Sequence, residues 1–409
     1  MALSRSQIKN DQKRGGSGRP DFTLIVLIAI LTVIGLVMIS SASVVMSRMV
    51  TGRDNYYFFM QLAAAGIGII LLYIFSKIDY RFWAKVAPIL LVLSIVLLVV
   101  VFLPGIGFKH NGASRWINLG FTSLQPSEPI KLALILFLAA WFEKKGSELR
   151  DLTKGTLPFL VIVGIVAGLI LIQPDMGTAA VVVSTAGIMF FVAGASMIHV
   201  GSLLLAGVAS VWALIIAAPY RMSRLTIFLN PSTDSSGAGY QIKQALVAIG
   251  SGGVLGLGFG RSIQKFNYLP EAATDSIFAI ISEEMGLIRA GIIIFIILLF
   301  VLRGYKIAKE APDTFARLVA VGITTWVAAQ SFINILAILG LMPLTGVPLP
   351  FISYGGTSLV MLLAACGILL NISKHAVEGG NNANRRIRRW DWRTYLSSFG
   401  GRHRTAKVR

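Results

Sequence analysis

The sequence predicts an all-α, polytopic membrane protein with about ten transmembrane helices and a large extracytoplasmic loop before the eighth. Composition is the first observation behind this. Hydrophobic residues make up 55% of 409 and charged residues only 13%, at a mean hydropathy of +0.76, too apolar for a soluble globule. The second is patterning. Uncharged runs recur at 22–46, 56–76, 86–108, 176–198, 200–220 and 318–373, and roughly 20 apolar residues suffice to cross about 30 Å of hydrocarbon. The last run holds two crossings, interrupted at 343–356. Weaker spans are expected at 130–142, 157–173 and 276–302.

The third observation is where the charge lies. The chain carries 37 Lys and Arg against 18 Asp and Glu, a net +19. Basic residues fill the N-terminal tail (Arg5, Lys9, Lys13, Arg14, Arg19) and alternate connectors. These hold Lys77, Arg81 and Lys85; Lys144, Lys145, Arg150 and Lys154; Arg303, Lys306, Lys309 and Arg317. A basic tail runs from Arg385 to Arg409. With all of these on the cytoplasmic side, the positive-inside rule is met by an even number of spans. Topology and attraction to anionic lipid explain the excess better than nucleic acid does. The expected organisation is a basic cytoplasmic tail (1–21), an integral domain (22–375) with an outer loop at about 220–275, and a second basic cytoplasmic tail (376–409). Trp390, Trp392 and Tyr395 lie among the bases of the last segment, a pattern suited to an interface or a docking site, or simply to a solvated tail.

The first run follows a basic tail and has no small-residue cleavage site, so it reads as a retained helix. Cys366 is the sole cysteine, which excludes a disulfide framework and a Cys-based metal site. In the outer loop, 221–239 is polar and turn-rich. The stretch 241–260 is amphipathic and then dense in glycine, as expected of a short helix followed by a loop on or in the membrane.

Four segments could carry chemistry. In GASRWINLGFTSLQPSE, Arg115 and Trp116 sit on an outer loop, and Glu128 opens the next helix with Ser127 as a plausible N-cap. Lys131 is a cation near the start of an apolar helix, where the dipole disfavours it; a buried carboxylate or an anionic ligand would explain it. In QPDMGT, Asp175 either caps the following helix or orients Arg115 or Lys131. PLTGVPLPFISYGG has three prolines and no charge, so regular helix is excluded. Such a break is a simple re-entrant turn, or it lines a substrate path and offers backbone groups and the Ser353 and Tyr354 hydroxyls to a cavity where substrate binds.

The fourth segment, LPEAATDSIFAIISEEMG, concentrates acids where a polar loop enters an apolar helix, and intramembrane carboxylates are costly enough to suggest function. Thr274 or Asp275 could cap that helix. Glu283 and Glu284 diverge by about 100° on a helix, so they are expected not to share one partner. One is expected to pair with a cation or with helix N-termini inside the bundle and the other to approach the cytoplasmic side, both in a structural or tuning role, with Arg289 as a candidate counter-ion for Glu284 or a neighbour. Glu271 reads as solvated loop.

In that order GASRWINLG, QPSEPIKL, QPDMGT, GYQIKQALVAIGSGG, LPEAATDSIFAIISEEMG and TGVPLPFISYGG resemble the signatures of the SEDS (shape, elongation, division and sporulation) family across roughly residues 22–375. The LPEA-x-TD-x-IFA form and the long tails resemble its division-type members more than its elongation-type ones. The chain departs from the family pattern at Ser114, Ala273 and Arg289. The resemblance implies a peptidoglycan glycosyltransferase that polymerises lipid II into a glycan strand during septal wall synthesis. It implies a multi-pass protein of the cytoplasmic (inner) membrane with an outward-facing site. The partner implied is a class B penicillin-binding protein, with other membrane proteins of the division machinery.

The family's essential acid falls on Asp275, its other conserved polar positions on Arg115, Glu128, Lys131 and Asp175. Chemistry then suggests Asp275 as general base, with Arg115 and Lys131 at the diphosphate and Glu128 and Asp175 positioning them. No ligand cluster marks a metal, although Mg or Mn could sit at the diphosphate. The rival readings are a lipid II flippase or transporter, and a scaffold of the division complex.

Overall fold

The computed structural model describes residues 20–103, 107–110, 113–118, 123–216, 219–230, 234 and 237–376. The tails at 1–19 and 377–409, with the aromatic residues noted in the second, lie outside the described residues.

The helices are α1 (Phe22–Ala42), α2 (Val44–Thr51), α3 (Tyr56–Lys77), α4 (Tyr80–Val100), α5 (Ser127–Lys145), α6 (Leu157–Ile172), α7 (Met176–Val192), α8 (Met197–Ile216), α9 (Pro219–Leu229), α10 (Ala238–Gly252), α11 (Ile277–Glu310), α12 (Thr314–Ile338) and α13 (Gly356–Lys374). Among the described residues, seven are long and apolar enough to cross a membrane, α6 counted from Leu152. α7 and part of α8 form shorter apolar helices, and α5 supplies a further long one. The expected helical membrane domain is therefore present. Large apolar side chains such as Ile70, Tyr73, Ile89, Val92, Ile288 and Phe295 point outward, the inverse of a soluble protein and the signature of a lipid-facing wall.

The centre of the bundle is α12, which packs against α11, α7 and α5, while α13 lies along α3. Small residues permit these approaches. A Cβ on Gly367 would lie 2.5 Å from the Leu72 carbonyl oxygen, and one on Gly322 would lie 2.5 Å from Ile135. With no hydrophobic force between helices in lipid, such contacts supply much of the packing energy.

Polar side chains fasten the end of the bundle where the described residues begin and end. Asp21 caps α1 through Leu24 N, accepts from Arg303 Nε at 2.6 Å and donates its own N–H to Ser373 Oγ at 3.1 Å. Tyr80 donates its hydroxyl to Asp313 at 2.6 Å and its N–H to Asn371 Oδ1 at 2.9 Å. Asn371 Nδ2 and Lys374 Nζ both donate to the Ser76 carbonyl. These contacts join α1, α3, α4, α11, α12 and α13.

Two connectors differ from the sequence reading. The segment after α4 forms a small antiparallel sheet, β1 (Gly107–His110), β2 (Ala113–Asn118) and β3 (Ser123–Leu124), in the order β1-β2-β3. Its alternation puts Arg115 on the same strand face as buried Ile117. The stretch read as turn-rich after residue 220 contains α9, which starts on Pro219, a residue whose fixed φ suits a first helical position. The expected short helix at 241–260 is α10. Its Gly239, Ile242, Ala245, Ala248 and Gly252 form one buried face, which packs on α11, and an irregular stretch follows.

Candidate active site

Opposite the end that holds Asp21 and Lys374, the proline-rich segment between α12 and α13 forms a hub, and the candidate residues gather around it. The prolines keep it out of helix, as expected. Its polar groups, however, are taken up by neighbouring elements. Gln61 on α3 donates to the Ser353 carbonyl and accepts from Gly355 N. Gln330 on α12 donates to the Pro348 carbonyl at 2.9 Å. Asn334, one turn further, donates to the carbonyls of both Val347 and Asp275 at 2.8 Å. Arg224 on α9 donates to the Leu344 carbonyl at 2.8 Å.

The hub holds the backbone around Asp275 from one side. Ser353 Oγ accepts from Leu349 N and donates to the Thr274 carbonyl at 2.6 Å. Tyr354 donates its N–H to the Ala273 carbonyl at 2.9 Å, and its ring meets Tyr57 edge-on with centroids 4.9 Å apart. The sequence reading offered the Ser353 hydroxyl to a substrate; the structure commits it to two backbone groups. The reason is local: the prolines free backbone groups that need partners.

Asp275 itself is not a cap. α11 begins at Ile277 after Ser276, without a side-chain cap bond, and Thr274 turns instead to Glu271, donating to its carboxylate at 2.7 Å. The Asp275 carboxyl is half-buried, and Oδ2 lies 3.4 Å from where a Cβ on Gly346 would stand. Desolvation, followed by the negative charges of Glu271 and Asp175, pushes its pKa from 3.8 up to about 7, while Arg115 and Arg224 pull it down. Those influences place two acids and two guanidinium groups around one carboxyl. Glu271, read as solvated loop, is therefore part of this cluster.

Arg115 reaches the QPDMGT turn, donating from Nε to the Gln173 carbonyl at 2.9 Å and from Nη2 to the Pro174 carbonyl. Asp175 caps α7 by accepting from Thr178 N at 3.0 Å. Gly177 lets the turn press on the hub, since a Cβ there would lie 2.1 Å from Val347 and 2.8 Å from the Thr345 carbonyl. Asp175 thus caps and also contributes charge to the cluster; its carboxylate is not what orients the bases, since Arg115 bonds to the carbonyls of Gln173 and Pro174 and Lys131 to Glu128 and Gln330.

Glu128 and Lys131 form a separate, deeper unit. Lys131 Nζ is 2.9 Å from Glu128 Oε1, their side chains only 3% and 1% exposed. It also donates to Gln330 Oε1 at 3.0 Å and lies 4.8 Å from the centre of the Trp326 ring. Glu128 Oε2 is buried without a hydrogen-bond partner. The buried carboxylate demanded by Lys131 is Glu128, and Gln330 links this pair to the hub at Pro348. Ser127 does not cap α5; Pro126 holds that position and makes no side-chain cap bond.

The remaining acids correct the reading further. Glu283 and Glu284 are both buried and both bind the loop at 260–265, because that loop folds across the helix and meets two directions at once. Arg289 is no counter-ion for Glu284: it is exposed and donates to the Leu255 carbonyl at 3.1 Å, and Glu284 pairs with Lys265 at 2.9 Å. Arg224, Gln330, Asn334 and Gln61 were missed from sequence. Three of them are uncharged, and Arg224 lay in a stretch read as loop. A lone Gln or Asn inside an apolar helix was the available signal. Among the described residues, no group of three Asp, Glu, His or Cys side chains is placed to hold a metal ion.

Comparison with known proteins agrees with this architecture. The FtsW/RodA/SpoVE family model, described as cell cycle protein, matches residues 22–378. The chain is 43% identical over 357 residues to stage V sporulation protein E of Bacillus subtilis, covering 87% of this chain and 98% of that protein. It is 42% identical over 353 residues to the probable peptidoglycan glycosyltransferase FtsW of Trichlorobacter lovleyi, with 86% and 93% covered. Among solved structures it resembles a chain from a peptidoglycan synthase complex described as coordinating polymerization and crosslinking, at a TM-score of 0.72 and 27% identity, covering 87% and 97%. It also resembles the rod shape determining protein RodA of Thermus thermophilus, at a TM-score of 0.65 and 28% identity, covering 88% and 98%. With its family model matched across the whole membrane domain, the chain belongs to the FtsW/RodA/SpoVE family of cell cycle proteins.

Proposed function

We propose that this chain is a peptidoglycan glycosyltransferase that polymerises lipid II on the outer face of the cytoplasmic membrane, in septal wall synthesis. The observation that carries the proposal is Asp275: an uncapped, half-buried carboxyl at the bundle end, with a pKa near 7 and two guanidinium groups beside it. A base is most effective when its pKa lies near the working pH.

In the reaction, Asp275 takes the proton from the acceptor sugar's 4-hydroxyl as that oxygen attacks the donor's anomeric carbon. The bond from that carbon to the diphosphate breaks, and undecaprenyl diphosphate leaves with the electron pair. One displacement converts the α-linked donor to a β-1,4 link. Charge grows on the diphosphate during this step, so cations aimed at it favour the transition state over the ground state. Arg115 and Arg224, whose charges act on Asp275, are the cations proposed for this role, since Arg can grip phosphate bidentately. Asp175 holds the turn whose carbonyls orient Arg115. Lys131 and Glu128 act on the site through Gln330 and the hub, as do Ser353 and Tyr354. A divalent cation at the diphosphate would take its ligands mainly from phosphate oxygens and water. The lipid-facing wall holds the polyprenyl tails, so the membrane concentrates and orients both substrates. A class B penicillin-binding protein is the proposed partner that cross-links the product, within a wider division complex.

The test is polymerisation of purified lipid II by the reconstituted full chain, alone and with a class B penicillin-binding protein, against Asp275→Asn. Glycan from the wild type and none from the variant is expected. Equal polymerisation by the variant would remove Asp275 as base. Head-group transfer across the bilayer without any polymer would favour the flippase reading.

A further inference from the structure

The stretch that delivers Asp275 is built as a lasso whose knot lies well away from the reacting carboxyl. α11 is not continuous: Gly286, at φ 77 and ψ 173, separates the half-helix 277–285 from the long remainder. The loop after α10 crosses this break. Leu257 N and Gly258 N donate to the carbonyls of Glu283 and Glu284 at 3.0 Å, and Leu287 N and Ile288 N donate to the carbonyls of Gly253 and Val254. The two backbones touch so closely that a Cβ on Gly256 or Gly286 would lie 2.3 Å from an atom of the other strand. Residues 253–285 therefore leave and return at one point, with Asp275 on the far limb.

Inside the lasso the two glutamates act as internal ligands. Glu283 accepts from Ser262 Oγ at 2.5 Å and from the backbone N–H of Ile263 at 2.9 Å. Glu284 Oε1 accepts from Lys265 Nζ at 2.9 Å, from Ser41 Oγ at 2.7 Å and from Ser262 N at 3.4 Å. Lys265 Nζ also donates to Ser41 Oγ at 3.0 Å and to the Gly260 carbonyl at 2.7 Å. The side chains of Lys265 and Glu284 are 5% and 0% exposed. Among the described residues, Glu283 binds only the lasso itself, whereas the Lys265–Glu284 pair reaches out through Ser41 to α1. The hub bonds to Ala273, Thr274 and Asp275 hold the opposite limb.

We infer that Lys265 and Glu284 are positioning residues for the glycosyl transfer: their ion pair, seated on Ser41, docks the lasso on α1 and so sets where the Asp275 carboxyl stands. The inference rests on the glycosyltransferase reading above. Replacing the pair by hydrophobic and neutral groups of similar size leaves no buried charge unpaired, which separates positioning from folding. Lys265→Met/Glu284→Gln keeps an oxygen for Ser41 and Ser262 N, and its melting temperature should match the wild type. Its kcat should fall by about tenfold or more, with KM for lipid II unchanged, since misplacing a catalytic group by about 1 Å costs rate steeply. Ser41→Ala should lower kcat in the same sense by about threefold, as the loss of one bond to a charged group permits.

A second readout does not depend on activity. Spin labels on Val50→Cys and Asn267→Cys, both at exposed positions, report the distance between the α2 segment that follows α1 and the lasso. The distribution should be narrow in the wild-type background and broad in the double variant. Normal kcat with an unchanged distribution would overturn the inference. A broadened distribution in a chain that makes no glycan would uphold the docking role and reject the glycosyltransferase reading instead.

Discussion

Replacing Asp275 by Asn should stabilise the protein while it abolishes turnover, and the gain should depend on pH. The native carboxyl titrates near 7, against an ordinary 3.8. A group raised in this way binds its proton more tightly when folded, so its contribution to stability is complete below about pH 4. It is lost as pH rises through 7, because the folded state then carries a partly desolvated charge. Taken at face value, the shift corresponds to at most about 4 kcal/mol above neutral pH. Asp275 keeps some contact with solvent, and screening reduces this to about 1–2 kcal/mol. Asn has nearly the same shape and no charge to desolvate. Thermal unfolding of both proteins, in the same lipid and at the same scan rate, should show the variant melting a few degrees higher at pH 8. The gap should narrow steadily toward pH 5. A gap that is constant with pH, or a variant that melts lower at pH 8, would refute the account of Asp275 as a strained base. The corresponding kinetic signature is wild-type polymerisation that rises through about pH 7 and then levels off.

Three substitutions probe the rest of the site. Lys131→Met should destabilise by about 3–5 kcal/mol, because it leaves Glu128 buried and unpaired; adding Glu128→Gln should recover most of that loss, as read by melting temperature. Gly346→Ala puts a Cβ in a left-handed conformation (φ 72) beside the Asp275 carboxyl. It should cost about 1 kcal/mol of stability and lower kcat more than it lowers affinity for lipid II. Arg224→Ala should reduce polymerisation by about 10²-fold if it faces the leaving diphosphate; a rate within twofold of wild type would remove it from that role.

Much of the membrane domain was legible because lipid imposes a simple code: long uncharged runs, prolines that break them, and bases collected at alternate connectors. Asp275, Arg115 and Asp175 were each visible as costly or oddly placed residues, and the structure brings them together. What sequence could not supply was depth and direction. Lys131 and Arg115 looked equivalent, both placed at the diphosphate, yet one is sealed in a bonded pair and the other belongs to the charge cluster. Glu283 and Glu284 appeared unable to share a partner because helical geometry separates adjacent side chains. That argument fails where a second chain segment crosses at Gly286 and offers amides and an ammonium on two sides. Gln61, Gln330 and Asn334 gave almost no warning, since an amide in an apolar helix matters only once the groups it reaches are known.

The fastened end of the bundle has a consequence for which kind of machine this can be. Six cross-helix hydrogen bonds, from Asp21, Arg303, Tyr80, Asn371 and Lys374, would have to break together to admit a sugar head group there. At about 1 kcal/mol each they set an opening cost of roughly 6 kcal/mol, so a molecule stands ajar for roughly one part in 25,000 of its time. A carrier that alternates between two sides needs both gates to be cheap. On the glycosyltransferase reading proposed above, this end stays closed and both substrates come and go at the opposite end and from the surrounding lipid. A cysteine at Ala308, buried at that end and outside the bonded set, should accordingly resist membrane-impermeant thiol reagents in sealed and opened vesicles alike, whereas rapid labelling during turnover would mean that the closed end opens.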